Sequence, residues 1–496
     1  MRRRHFLGGA AAALGLAGCG QQTATSTAIP STRLTSSVGV TALRGGTHVP
    51  DLRFGQAPLP AGSPGYDPAG DASALILPGT PSPATSPIPG TQLTGSYASD
   101  ERFVIRVPDA WNAKLVVVGT PAFRSEFAND AIWGDFLLAH GYAYACSNKG
   151  IPYNAVVETI ANSQSPSTAY PIAFNLAGLE AGKYTFRLGA LAPNKKSIEG
   201  WNDDFFRLTI NAQAYLDKRF KHPTRTYAVG LSNGGAQVRS LLEQHPGLVD
   251  GGVDWSGVYW SPQQSILDYL PKFLTAMQGY IASGFTDAGA AAAIIAAGYP
   301  ADLRGAAGHP SLWFDYYAGQ PSFYADLTTF AYALLLDPQA TSSIAAAGCT
   351  PNAVNPVQLP GTCDASGLAQ PSARNAYVPS AGARAEIATF AHTGRIRQPL
   401  ISIAGTDDMF ITNANNATPY LNAVKAAGGS AQYWQFLVQG GTHVDTFANP
   451  TWGYGLQPQL PFAWAAFNQL VAVVEHGATL AGAGTQRVVS SPSQIS

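Results

Sequence analysis

Residues 227–235 read Tyr-Ala-Val-Gly-Leu-Ser-Asn-Gly-Gly, an apolar run that ends in a serine flanked by glycines. Just upstream, Arg-Thr-Tyr-Ala-Val at 225–229 is β-prone and apolar, as a strand buried on both faces of a parallel sheet should be. Downstream, residues 236–245 carry apolar side chains at 238, 241 and 242, and Pro246-Gly247 closes the segment as a helix stop. The stretch therefore predicts strand, tight turn, helix, with Ser232 at the turn. Gly230 and Gly234 lack the Cβ atoms that would collide in so sharp a bend. Such a turn strains the serine backbone and lifts its hydroxyl clear of the sheet. Gly-x-Ser-x-Gly alone would arise by chance roughly 0.4 times in a chain of this composition, so the flanking strand and helix carry the reading.

Working outward, residues 102–107 alternate and end at a proline, an early antiparallel strand. Residues 114–119 are a continuous apolar run, a strand covered on both faces. Residues 130–138 read as helix, 141–146 as strand and 206–220 as an amphipathic helix. Strands follow at 248–253, 399–404 and, as the last one, 433–438, with a closing helix at 461–474. Strands alternating with helices predict an α/β fold with a mostly parallel, doubly wound sheet. Its core is expected to span 93–256 and 399–496. Between them, 257–398 has helices at 267–281 and 288–297 and many loops; it reads as a substrate-binding cap.

Composition limits the alternatives. The chain has 496 residues, a formal net charge of −1 and only 12% charged side chains. No basic stripe is available to displace counterions from a polyanion, so a nucleic-acid partner is excluded. Residues 1–19 form an export signal: Arg2-Arg3-Arg4, a short apolar stretch, then Leu16-Ala17-Gly18-Cys19, which resembles a lipobox and would make Cys19 a lipidated N-terminus. Residues 20–92 are rich in Ser, Thr, Pro and Gly, a tether followed by an extended segment. In an exported chain Cys349 and Cys363 are expected to form a disulfide, and Cys146, ending a strand, a buried free thiol. No cysteine or histidine spacing suggests a metal, and no cofactor is implied.

A serine hydroxyl is a poor nucleophile at neutral pH and needs a base, itself oriented by a carboxylate. After Ser232 the chain offers both. The strand at 399–404 runs into Gly405-Thr-Asp-Asp-Met-Phe-Ile411, and Gln439-Gly-Gly-Thr-His443 follows the last strand. The Gly-Gly turn lets His443 fold back over the sheet edge. The glycine-flanked serine, with an aspartate and then a histidine behind it, resembles the α/β-hydrolase superfamily. That resemblance places the acid three residues after the glycine, followed by two residues and then an apolar one, which selects Asp408, with Ile411 as the apolar residue and Asp407 as the fallback. It also implies an oxyanion hole made by the N–H of Asn233 and an N–H from the loop after 114–119. Pro121 has no N–H, so Ala122 is the first choice there and Thr120 the second.

Gly-Leu-Ser-Asn-Gly-Gly is similar to the turn of bacterial polyhydroxyalkanoate depolymerases and hydroxybutyrate-oligomer hydrolases, and the large cap resembles that of tannases and feruloyl esterases. The latter often join their serine and histidine loops through cysteines, where this chain has Leu231 and Val444. The resemblance implies serine-dependent hydrolysis of a carboxylic ester; an amidase with the same residues is the alternative, and a non-catalytic binding lipoprotein the alternative from another class. Trp255, Tyr259 and Trp260, together with Trp313, Phe314, Tyr316 and Tyr317, form either an aromatic pocket or cap core. Arg124 could bind a substrate carboxylate, as an aromatic half-acid amide would require, in analogy with phthalyl amidases; a surface ion pair is the competing reading. The partner expected is a small or oligomeric ester or amide, and the oligomeric state stays open.

Overall fold

Apolar runs that must be covered on both faces end up in the middle of the sheet. A computed structural model shows this arrangement, and describes residues 45–58, 72–73, 75–97, 101–122, 124–150, 158–159, 170–171, 184–186, 197–317, 332–333, 335–337, 339 and 377–496. The main sheet has ten strands: β1 (Thr47–Val49), β2 (Gly90–Ser96), β3 (Arg102–Pro108), β4 (Lys114–Gly119), β5 (Ala143–Ser147), β6 (Arg225–Leu231), β7 (Gly251–Trp255), β8 (Leu400–Gly405), β9 (Tyr433–Val438) and β10 (Gln486–Val489). Their order is β1-β2-β3-β5-β4-β6-β7-β8-β9-β10. From β5 to β10 every neighbouring pair is parallel. The β1–β2, β2–β3 and β3–β5 pairs are antiparallel. Short strands at Glu158–Thr159, Tyr170–Pro171 and Tyr184–Phe186 make a separate antiparallel sheet.

Helices cover both faces. Strand alternation sends Leu115 and Val117 of β4 toward α2 (Ser197–Arg219), α3 (Asn233–Gln244) and α8 (Ala417–Ala426), with Leu208, Leu241 and Val424 in the same apolar cluster. Val116 and Val118 face α1 (Asp135–Ala139) and α9 (Leu460–His476), among Leu137, Phe467 and Leu470. At roughly 25 cal/mol per Å² of apolar surface removed from water, these two layers are the main source of stability.

The structure departs from the expected elements in four places. The sheet begins with β1, inside the stretch at 20–92 expected to be tether and extended segment, and Val49, Leu52 and Leu75 of that stretch are buried in the α9-side core. The strand at 433–438 is not the last, because β10 adds on parallel to β9. Helix α2 starts at Ser197, where Ile198, Trp201, Phe205 and Leu208 already carry a buried stripe at helical spacing. The expected helix at 130–138 opens as a π-helical turn, Asp130–Gly134, before α1, with the Asn129 carbonyl accepting from the N–H groups of Trp133 and Gly134.

Between β7 and β8 lie α4 (Ile266–Ala282), α5 (Ala288–Ala296), α6 (Leu312–Tyr317) and α7 (Ala381–Phe390). Their shared core holds Phe273, Met277, Tyr299, Trp313 and Tyr316, so Trp313 and Tyr316 are packing residues; Phe314 is half-buried against them. The same cluster takes in Ala236 of α3 and Met409 and Ile411 from the turn after β8. Cys19, Cys349 and Cys363 lie outside the described residues, whereas Cys146 is a buried free thiol on β5.

Candidate active site

Parallel strands in register end along one edge. Leu231 pairs with Trp255, Trp255 with Ile403, and Gly405 with Val438. The segments that carry Ser232, Ser256, Asp408 and His443 therefore leave the sheet side by side. Gly119, the end of β4, pairs with Gly230 at the same edge.

Ser232 stands between β6 and α3 with φ 60° and ψ −120°. Its N–H donates to the Trp255 carbonyl at 2.8 Å, and its own carbonyl accepts from Ala236 and Val258. A Cβ on Gly230 would run into the Gly234 carbonyl, as the sequence requires of so sharp a turn. A Cβ on Gly234 would run instead into the backbone of Gly119, so this glycine serves the approach of β4 to the helix start. Gly235 and Gly257 leave room for Asp254, whose carboxylate pairs with the buried Arg239 at 2.6 Å. Non-glycine residues with positive φ include Ala122, Lys149, Ser232 and Ser256, each just past the end of one of four neighbouring strands, β4, β5, β6 and β7. Backbone strain is thus gathered around this edge.

Of the two aspartates after β8, Asp408 accepts from Nδ1 of His443 at 2.9 Å, and its other oxygen accepts from the N–H groups of Phe410 and Ile411, both at 2.8 Å. Burial alone would push this carboxyl up, but the imidazole and the backbone donors outweigh it and hold the group below the ordinary carboxylate range. The Ser256 hydroxyl faces the same carboxylate without reaching a hydrogen bond of normal geometry. Asp407 accepts instead from Thr406 Oγ1 at 2.6 Å, while its N–H donates to the Gly441 carbonyl at 2.9 Å. Thr406 Oγ1 in turn accepts from Gly440 N–H at 2.8 Å, so the aspartate turn and the histidine loop are laced together. The Phe410 ring stacks on the imidazole, centroids 5.2 Å apart. With Nδ1 committed to Asp408, Nε2 is the nitrogen free to take a proton. Among the described residues no hydrogen bond joins the Ser232 hydroxyl to this imidazole.

The N–H of Asn233 opens α3 and, like the first N–H groups of any helix, has no partner within it. The N–H of Ala122, held at φ 41°, also has no acceptor among the described residues. Thr120 turns its hydroxyl away, to the Ser147 carbonyl. The Asn233 side chain meets the hydroxyl of Tyr332, from the segment between β7 and β8, at 2.6 and 2.9 Å.

Of the aromatic residues read as either pocket or core, Trp255 and Trp260 are buried and Tyr259 is half-buried. Trp255 adjoins Ser232 through its backbone, but strand alternation buries its ring fully in the α9-side core. Tyr259 stacks on His392 and packs against Tyr420. Trp260 is buried edge-on against Tyr332 and Phe390. Arg124 is half-buried beside Ser125. Sequence reasoning passed over Tyr332, Phe410, Ser256 and Lys149. Lys149 and Ser256 each stand three residues past the end of a predicted strand, 141–146 and 248–253, the position at which ligands meet open α/β sheets, and that placement was readable. Tyr332 had no local signal.

Sheet order, strand directions and the strained serine between β6 and α3 make this an α/β-hydrolase fold. No family model and no curated sequence matches this chain. Among solved structures, feruloyl esterase B from Aspergillus oryzae is similar over 88% of this chain and 87% of its own at 14% identity, with a TM-score of 0.46. The rice cell wall degrading esterase LipA from Xanthomonas oryzae matches over 78% of this chain and 91% of its own, at 12% identity and a TM-score of 0.42. The acylaminoacyl peptidase of Pyrococcus horikoshii matches 78% of this chain but only 41% of its own, at 10% identity and a TM-score of 0.38. The fold assignment stands on the strand order and directions given above.

Proposed function

We propose that this chain is an exported serine hydrolase that cleaves a carboxylic ester, with Ser232, His443 and Asp408 as its catalytic triad. The observation that carries the reading is the Asp408–His443 hydrogen bond at the sheet edge from which the strained Ser232 also rises. Ser232 Oγ attacks the acyl carbon as His443 Nε2 takes its proton, and the carbonyl electron pair moves onto oxygen. The N–H groups of Asn233 and Ala122 receive that oxyanion. Its collapse expels the alcohol, which leaves with the proton from His443. Water, activated by the same imidazole, then attacks the acyl-enzyme and returns Ser232. Asp408 keeps the tautomer and offsets the imidazolium charge.

The segment between β7 and β8 acts as the cap, with Tyr332 touching the residue after the nucleophile. The signal at 1–19 directs export, and Cys19 would tether the mature chain to a membrane. No helix among the described residues is long and apolar enough to cross one.

Ser232→Ala should abolish labelling by a fluorophosphonate probe while leaving the thermal transition in place. Labelling that persists in the folded variant puts the nucleophile elsewhere. Turnover of p-nitrophenyl esters against matched anilides then separates ester from amide cleavage.

A further inference from the structure

Lys149 is almost wholly buried, at 1% exposure, and sits two residues past the end of β5 in the left-handed region with φ 59°. A lysine in that conformation costs about 1 kcal/mol and persists where its surroundings over-determine it. Its ammonium donates to three successive carbonyls: Thr120 at 2.6 Å, Pro121 at 3.4 Å and Ala122 at 2.7 Å. Three protons meeting three acceptors suits the charged form. On its other side the ammonium lies 5.5 Å from the ring of Trp201 on α2. The Trp201 carbonyl accepts from Gln237 of α3, the helix that begins at the nucleophile. Asp204, one helical turn further along α2, accepts from Ser147 Oγ and feels the Lys149 charge. The cation is therefore held between the loop after β4 and α2, and α2 is in turn tied to α3 through Gln237.

We propose that Lys149 is the positioning residue of the oxyanion loop, holding the Ala122 N–H toward the developing oxyanion and strengthening it as a donor. In a trans peptide the N–H points opposite to the C=O. Gathering the Pro121 carbonyl onto Lys149 turns the Ala122 N–H to the far side of the loop. That loop begins at Gly119, whose backbone touches Gly234 in the first turn of α3. A cation on the carbonyl side also polarises the peptide, so its N–H carries more positive charge just where negative charge appears in the transition state. This role, which rests on the serine-hydrolase reading, predicts a loss in turnover and not in ground-state binding.

The test compares wild type with Lys149→Met, which keeps the stem and removes the charge, and with Lys149→Arg. Activity is followed on p-nitrophenyl acetate, with Ser232 confirmed by fluorophosphonate labelling. Removing an oxyanion donor outright costs about 10²–10³-fold in kcat, so loss of its support should cost about 10–100-fold, with KM changed less than about threefold. The inhibition constant of butylboronic acid, which forms a tetrahedral adduct on the serine, should rise by the same factor as kcat/KM falls. Lys149→Arg should recover most of the turnover. Equal kcat in the Met variant, or a loss confined to KM, overturns the role. If the Met variant does not fold, Lys149→Gln takes its place. If both neutral variants lose the fold, Lys149 is structural and the proposal falls. Wild type that neither labels nor turns over fails the hydrolase reading itself, an outcome distinct from the others.

Discussion

Asp408 and Asp407 are adjacent, chemically identical and both close to the histidine loop, yet they have different work. Asp408 turns inward, takes two backbone donors on one oxygen and the imidazole on the other. Asp407 turns to its neighbour Thr406 and stays partly exposed. Replacing Asp408 by Asn presents an amide N–H to Nδ1 and favours the wrong tautomer. In such dyads that change costs about 10³–10⁴-fold in kcat. Asp408→Asn should therefore show a loss of that order on p-nitrophenyl acetate, and Asp407→Asn less than about fivefold. A reversed ranking would move the acid one residue back.

At the scale of elements, the site depends on how closely β4, β6 and α3 meet. The backbones of Gly119, Gly230 and Gly234 touch with no side chain between them. Gly234→Ala must part the oxyanion strand from the elbow helix, an overpacking change of about 1–3 kcal/mol or more. It should lower the midpoint of urea unfolding and slow fluorophosphonate labelling together. Gly247, after α3, has φ 86° and nothing within 4 Å of where a Cβ would stand. Gly247→Ala should cost only the backbone penalty of about 1 kcal/mol and leave labelling intact. Equal effects of the two substitutions would show that the close approach is not what these glycines provide. The segment between β7 and β8 is joined to the site by packing, because Met409 and Ile411, just after Asp408, are buried among its helices. Tyr316 packs on Phe410, which in turn stacks on His443.

Across the whole molecule, buried carboxyls set how stability responds to pH. Burial pushes Asp445 up to about 7, against the N–H groups of Gln459 and Leu460 that pull it down. Burial likewise raises Asp130 and Asp204, each to about 6. An unfolded aspartate ionises near about 3.9, so between there and about 7 the folded chain holds more protons and its stability falls as pH rises. His392, kept neutral by burial and by Arg239 down to about 3, works the other way: below about 6.5 the unfolded chain gains a proton that the folded one refuses. Asp445→Asn removes one raised carboxyl and keeps an acceptor for the two N–H groups. Its thermal midpoint should gain on wild type as pH rises from about 4 and level off above about 7, and a difference independent of pH would contradict the assignment.

How much was readable in advance follows the range of the forces involved. The Gly-Leu-Ser-Asn-Gly-Gly turn, the two-faced apolar strands and the order Ser232, Asp408, His443 are local patterns, and they determined the fold class and its candidate chemistry. Elements whose signals are weak were missed: β1 and β2 lie in a Pro/Gly-rich stretch, and β10 reads Gln-Arg-Val-Val, stabilised mainly by its pairing with β9. Only the tertiary structure decided which side chains meet. Trp255, Tyr259 and Trp260 are aromatic residues near the elbow in sequence, but strand alternation and neighbouring rings draw Trp255 and Trp260 into the core and pack the half-buried Tyr259 against it. Lys149 lies far from Ser232 along the chain, and only the parallel neighbours β4 and β5 bring its charge beneath the Thr120–Ala122 carbonyls. Hydrophobic periodicity is written residue by residue, whereas a three-carbonyl clasp exists only after distant strands have paired.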